Sequence, residues 1–202
     1  PQFSWQSDFY HNGTINGDTL NGDLIFKGRG DATFSINNLE NSIRKIQRKG
    51  LKKINGNLIL DMSYFGLDSK EKTFDNDPMR AYNALPTPVV IQSNTMNFIF
   101  TTKDSNLDIE SNPDIEYVTI KNNIKITNNR CIDWKSKLNY RTKKENSKIK
   151  VIFSGKYSRK CGTKSINLSV LDDNKYFYNI FKDRWNANGG DFSGDLDVTF
   201  IK

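Results

Sequence analysis

The sequence predicts an α+β fold of two subdomains, an α/β subdomain built from both ends of the chain and an all-β subdomain inserted into it. Three observations carry that expectation. Strand-like and helix-like windows alternate over residues 13–61 and again over 165–200. Residues 95–164 alternate apolar and polar positions between polar turns, with no helical periodicity. A phrase made of a helix, a glycine stop and then apolar-polar-Gly-polar-Leu occurs twice, ending at residues 54–58 and 192–196. The expected division is residues 1–94 plus 165–202 for the α/β subdomain and 95–164 for the inserted basic β subdomain.

Each element has its own signal. Gly13-Thr14-Ile15-Asn16-Gly17 has the punctuation of a tight turn. A strand over 21–28 leads into Gly28-Arg29-Gly30-Asp31. Asn37 or Asn38 is the expected cap of a helix running to about Lys49, with Leu39, Ile43 and Ile46 as its apolar face and Gly50 as its stop. A strand follows over 54–61. In the middle, windows 96–101, 115–127, 137–141 and 147–154 read as strands, with Ile149, Val151 and Phe153 on one face. Near the end, 165–171 alternates as a strand with Ile166, Leu168 and Val170 on one side. Asp172, Asp173 and Asn174 offer a cap for a helix carrying Phe177, Ile180, Phe181, Arg184 and Trp185, which stops at Gly189-Gly190. A strand over 192–200 closes the chain.

Composition narrows the class. Of 202 residues, 36% are hydrophobic, 12% aromatic and 26% charged, the balance of a soluble globular chain rather than a disordered one. Apolar runs are short, far below the ~20 residues of a membrane helix. The opening Pro1-Gln2-Phe3-Ser4-Trp5 lacks the basic start and apolar run of a signal peptide, and Pro1 is no natural initiator, so an excised or processed piece is expected. The net charge of +7 is uneven: residues 121–164 hold fourteen Lys/Arg against Asp133 and Glu145, a local +12. Such a block suits an anionic neighbour, whether nucleic acid, a lipid surface or an acidic wall polymer, although composition alone favours a solvated Lys-rich surface.

Two cysteines and one histidine fall short of a zinc site, which wants about four such ligands. No cofactor is implied. His11, in a Tyr10-His11-Asn12-Gly13 turn, is the lone imidazole and a poor candidate for catalysis. Cys131 and Cys161 bracket the basic block. Bonded, they would add about 3 kcal/mol by restricting the unfolded chain; free, they would be two small buried hydrophobes. The residues themselves leave both readings open.

The ordered segments resemble a known family. Leu20-Asn21-Gly22-Asp23-Leu24 followed by Gly28-Arg29-Gly30-Asp31-Ala32-Thr33-Phe34 is similar to the G-D-L…G-x-G-D-P-T-L stretch of peptidase family S13, with Ala32 where the pattern has proline. These are D-Ala-D-Ala carboxypeptidase/endopeptidases of the penicillin-binding-protein-4 type. Residues 50–61 resemble the strand that follows in that family. Asp75-Asn76-Asp77-Pro78 with Tyr82-Asn83-Ala84-Leu85-Pro86 is similar to its D-D-P…Y-N-A-P-P segment, and Gln92-Ser93-Asn94 falls where it has N-x-N. Ser154-Gly155-Lys156-Tyr157, Cys161 and the Gly189 to Gly194 stretch also fall in register.

The resemblance carries implications. The family's catalytic domain uses S-x-x-K, S-x-N and K-T-G in that order, and the insert resembled here lies between the first and the second. Catalytic residues are therefore expected to be none in this chain. Ser42-Ile43-Arg44-Lys45 and Ser147-Lys148-Ile149-Lys150 both fit S-x-x-K, and Lys160-Cys161-Gly162 imitates K-T-G, but no S-x-N occurs between Lys45 and Lys160. The order fails, which reads these matches as chance. Asp77 and Tyr82 match positions where an Asp five residues before a Tyr helps bind the amino end of the stem-peptide side chain; Met79-Arg80 between them departs from the pattern. A carboxylate and a phenol suit an ammonium, while Asp-Pro also starts ordinary turns. Cys131–Cys161 is implied as a disulfide, in keeping with a periplasmic or extracytoplasmic location.

Two functional hypotheses follow. In the first, the chain is the non-catalytic insert of a serine-type enzyme acting in peptidoglycan metabolism, shaping substrate access. Its partners are then the stem peptide or wall polymer and the parent transpeptidase-like domain, with no nucleic acid. In the alternative, it is a stand-alone basic binding module for a polyanion, with Trp134, Tyr140 and Tyr157 interleaved among Lys/Arg in a way that would also suit single-stranded nucleic acid.

Overall fold

The structure is a computed structural model that describes residues 5–65, 79, 87–104 and 106–200. In chain order the first elements are β1 (Asp8–His11), β2 (Thr14–Asn16), β3 (Thr19–Asn21), β4 (Leu24–Lys27), α1 (Ile36–Arg48), β5 (Lys53–Ile54) and β6 (Leu58–Asp61). The middle holds β7 (Met96–Lys103), β8 (Asn106–Asn112), β9 (Val118–Thr127), β10 (Leu138–Glu145), β11 (Lys148–Ser158) and β12 (Thr163–Leu168). The chain ends with α2 (Asp173–Ala187), β13 (Asp191–Phe192) and β14 (Leu196–Thr199). The fold is mixed α+β. The described residues gather into two compact units, one of residues 5–65, 87–94 and 171–200, the other of residues 79, 95–104 and 106–170.

In the first unit four chain segments run side by side and each bends from one sheet into the next. The sheets have matching orders, β1-β4-β6-β14 and β2-β3-β5-β13. The phrase that occurs twice in the sequence lies in parallel register with itself: Ile54 sits beside Phe192 and Leu58 beside Leu196. A third copy, Leu20 to Leu24, sits on its other side, pairing Leu20 with Ile54 and Leu24 with Leu58. The glycines fall in line at the bend. A Cβ on Gly194 would stand 1.9 Å from the Gly56 carbonyl oxygen, and one on Gly56 would stand 2.3 Å from that of Gly22. Only a residue without a side chain permits that approach.

A polar ladder accompanies the glycines. Asn12 Oδ1 accepts from the Asp23 amide at 2.6 Å, Asp23 Oδ1 from the Asn57 amide at 2.8 Å and Asn57 Oδ1 from the Asp195 amide at 3.0 Å. Each segment thus satisfies an amide that its neighbour exposes where strand pairing lapses.

The helices cover these sheets. Ser35, not Asn37 or Asn38, caps α1: its hydroxyl accepts from the Asn38 amide, and Asn38 Oδ1 returns to the Ser35 amide at 2.9 Å. The asparagine read as a cap is the third residue of a reciprocal box. Gly50, at φ +107°, follows its end. Asp172 caps α2 through the Lys175 amide. Leu39 and Ile43 are buried on α1; Phe177, Ile180, Phe181 and Trp185 are buried on α2. Phe26 meets Phe177 at 4.4 Å, Phe181 meets Phe192 at 5.4 Å, and Trp185 Nε1 donates to the Lys52 carbonyl at 3.0 Å. Each fully buried aromatic contributes about 1.5–3 kcal/mol of apolar transfer.

The second unit holds two three-stranded sheets, β10-β11-β9 and β12-β7-β8. Its core is aromatic: Phe98 and Phe100 lie 5.1 and 5.2 Å from Phe153, and Phe100 stacks on Tyr157 at 5.9 Å. Two features differ from the sequence reading. The strand near residue 165 pairs antiparallel with β7, Leu168 opposite Met96, so residues 165–170 group with this unit rather than with the α/β part. Alternation announces a strand but not its partner. β8 was not expected at all, because between Asn106 and Asn112 only Leu107 and Ile109 are apolar.

Candidate functional site

Asp77 and Tyr82, the residues implied as substrate-binding, lie outside the described residues. The two ends of the chain that lead to them are described. On one side, β4 and β6 end together: Lys27 Nζ stands 3.0 Å from Asp61 Oδ2 and 3.1 Å from Ser63 Oγ, and the Ser63 amide donates to Asp61 Oδ1 at 2.9 Å. Burial works against the Asp61 charge, but the Ser63 hydroxyl and amide and the Lys27 ammonium outweigh it and hold the carboxyl below its usual range. On the other side, Thr87 Oγ1 meets Met62 Sδ at 3.7 Å, and Gly30 donates to the Pro88 carbonyl at 2.9 Å. A Cβ on Gly30 would meet the Phe65 ring at 2.6 Å. Both flanks are therefore anchored to the C-terminal edge of parallel strands, where open α/β sheets place ligands. Asp61 closes the strand window read over 54–61, and its pairing with Lys27 was not foreseen, although both stand three residues after the leucines (Leu24, Leu58) that share a register.

Close in sequence to the second flank is a strained turn. Gln92, Ser93 and Asn94 all have φ near +50°, and buried Asn94 accepts the Ile91 amide on its side-chain oxygen at 3.1 Å. Its side chain also bonds Asp173 at the start of α2. Burial pushes the Asp173 carboxyl up to about 6, with Asp172 adding to the rise and Asn94 opposing it.

The S-x-x-K matches fall on ordinary surface. Ser42 lies on α1 and its hydroxyl donates to the Asn38 carbonyl one turn back at 3.0 Å. Ser147 stands in the turn between β10 and β11 with φ +62°. His11 is exposed on β1.

The basic block resolves into a surface with two faces. Along β11, Val151, Phe153 and Tyr157 point to the core, so Lys148, Lys150, Ile152, Lys156 and Ser158 point the other way. The register places Lys121 and Lys125 of β9 and Arg141 and Lys143 of β10 on that same outer face. Seven cations share it with one carboxylate of these strands, Glu145, which pairs with Lys150 and stands 4.0 Å from Lys143. The Lys150 ammonium beside it holds that carboxyl below its usual range. Among the described residues no carboxylate pairs with Lys125, Arg141 or Lys156.

At the Ser158 end of this face lies a cleft of about 260 Å³, lined by Thr127, Arg130, Trp134, Lys137, Lys156 and the Cys131–Cys161 disulfide among others. The loop over 128–134 that walls it is held by that bond, by the Ser158 hydroxyl donating to the Asn129 carbonyl, and by Lys137 Nζ donating to the Ile132 carbonyl at 2.8 Å. Sequence reasoning located the charge but not the cleft. The signal for the cationic face was the alternation of Lys148 and Lys150 with Ile149 and Val151.

The comparisons with known proteins agree with one another. The sequence profile of the D-Ala-D-Ala carboxypeptidase 3 (S13) family matches residues 1–200. The chain belongs to that family. Among S13 relatives, D-alanyl-D-alanine carboxypeptidase DacB of Haemophilus influenzae is 31% identical over 94 residues, 46% of this chain and 20% of that protein. The crystal structure of penicillin binding protein 4 (dacB) from Haemophilus influenzae superposes with a TM-score of 0.74 at 18% identity, covering 99% of this chain and 44% of the other. The same protein complexed with a novel β-lactam gives 0.67 at 18% identity, over 99% and 41%. The chain thus spans less than half the length of the S13 relatives it matches.

Proposed function

We propose that this chain is the non-catalytic insert of a serine-type D-Ala-D-Ala carboxypeptidase/endopeptidase that acts in peptidoglycan metabolism outside the cytoplasmic membrane, and that it shapes substrate access. The observation that carries this reading is the S13 profile running from residue 1 to residue 200 of a chain without the ordered S-x-x-K, S-x-N, K-T-G set. The segment of Asp77 and Tyr82 receives the amino end of the stem peptide. Its supports are the Lys27–Asp61–Ser63 cluster and the Thr87–Met62 contact, which fix where that segment leaves and rejoins the sheet. The disulfide suits an oxidising compartment.

The coding region on either side tests this. S-x-x-K before Pro1, with S-x-N and then K-T-G after Lys202, is the expected result. An initiator codon beside Pro1 and a stop codon after Lys202 would leave a free-standing binding module instead.

A further inference from the structure

The cationic face of the second unit has the features of a binding surface rather than of solvated decoration. Lysines scattered for solubility are interspersed with carboxylates; this face concentrates Lys121, Lys125, Arg141, Lys143, Lys148, Lys150 and Lys156 on three adjacent strands. Strands lie about 4.8 Å apart and residues on one face about 6.7 Å apart, so the cations form a grid rather than a single point. Ile152, opposite Arg141 on one side and Lys121 on the other, is only 7% exposed. Glu145 neutralises one end, where Lys148 also pairs with Glu116 at 3.3 Å. Arg141 and Lys121 stand midway along the face, and the opposite end, at Lys125 and Lys156, leads into the cleft, where Arg130 and Lys137 add charge.

The occupant is constrained by what the face lacks. Single-stranded nucleic acid is held by bases stacked on aromatic rings. Tyr157 is buried in the core, Tyr140 pairs opposite core-facing Phe153, and Trp134 packs edge-on against Phe100 and Tyr157. The outer face of the sheet offers Asn123, Asn139, Ser154 and Thr119 between its cations, groups that suit hydroxyls and carboxylates. The cleft is smaller than the ~300–1,000 Å³ of a drug-sized site and suits one acidic residue or one sugar.

We propose that this face and its cleft bind the carboxylate-bearing peptides of the cell-wall polymer, the cleft seating one carboxylate and the sheet tracking the next ones along. This second contact rests on the wall-acting reading above. It uses residues other than Asp77 and Tyr82 and would hold the polymer by charge.

Pelleting of the 202-residue chain with purified peptidoglycan sacculi tests it. Binding is expected in about 50 mM salt and is expected to fall about tenfold by about 300 mM, as salt screens the exposed charge pairs. Reversing Lys125, Arg141 and Lys156 to Glu is expected to cut the pelleted fraction about tenfold, whereas reversing Lys45, Arg48 and Lys49 on the first unit, an equal change of net charge, is expected to cut it less than twofold. A Gln version of the first triple, with an unchanged thermal melt, separates lost binding from lost folding. Equal losses from both triples would overturn the site, and so would no loss from either. Undiminished binding to sacculi stripped of stem peptides by an amidase would overturn the carboxylate assignment. Preference for an oligothymidylate strand over sacculi would overturn the wall polymer as occupant. None of these results touches the order of motifs in the flanking coding region, so failure here and failure of the wall-acting reading are told apart.

Discussion

Asp173 shows how a single partly buried group ties stability to pH. Its carboxyl is raised to about 6, so the folded state keeps a proton that the unfolded chain releases near pH 4. The sign follows: its contribution is full below pH 4, declines as pH rises to about 6, and stays lost above. Asp173→Asn is expected to unfold at higher urea than wild type at pH 7, by on the order of 2 kcal/mol, and at nearly equal urea at pH 4. The reverse order at pH 7 would contradict the assignment. The aligned glycines act at the same scale. Gly56→Ala would press a methyl onto the Gly22 carbonyl, and a loss of roughly 1–3 kcal/mol is expected in urea unfolding. Gly17→Ala, whose added methyl meets open space, costs roughly 1 kcal/mol through its positive φ alone. Asp173 was legible in the sequence only as a candidate cap; its burial depends on the packing of α2 beside the turn of Asn94, which no local pattern records.

Elements were more legible where periodicity and punctuation coincide. Both α-helices stand within one or two residues of the windows that Leu39 and Ile43, and Phe177 and Phe181, announced. The cap of α1 was displaced because Ser35 and Asn38 bond reciprocally, and either is a plausible cap when read alone. Ser35→Ala is expected to cost about 1 kcal/mol in thermal or urea unfolding; no measurable change would mean that Asn38 alone satisfies the terminus. The repeated phrase around Gly56 and Gly194 was visible, but its third copy around Gly22 was read only as a family motif. Three copies in parallel register explain the recurrence: each bend must pass beside the next, and each needs the same small residue at the same place. β8 escaped because a largely polar strand can be held by its hydrogen bonds to β7, with Leu107 alone buried. The partner of β12 escaped because pairing is a property of two strands, not one.

For the whole molecule, charge was readable and its placement was not. A local +12 is a count; an outward face of seven cations beside a disulfide-held cleft requires the registers of three strands. The cysteine pairing likewise stayed open on the residues alone and is present in the fold. Replacing Cys131 and Cys161 by Ser is expected to lower stability by about 3 kcal/mol, since the bond closes a loop of 30 residues, and to weaken sacculus binding by loosening the cleft wall. Asp77 and Tyr82 remain a proposal about the whole enzyme, in which Asp77→Asn is expected to raise KM for peptides with a free side-chain amine and to leave acylation by penicillin unchanged. We infer that this S13 chain lies beside the chemistry without performing it. Incubating the chain alone with a fluorescent penicillin, followed by denaturing electrophoresis and mass spectrometry, tests that most directly. No covalent label is expected; a penicilloyl adduct on Ser42, or on any other serine of the chain, would overturn the non-catalytic reading.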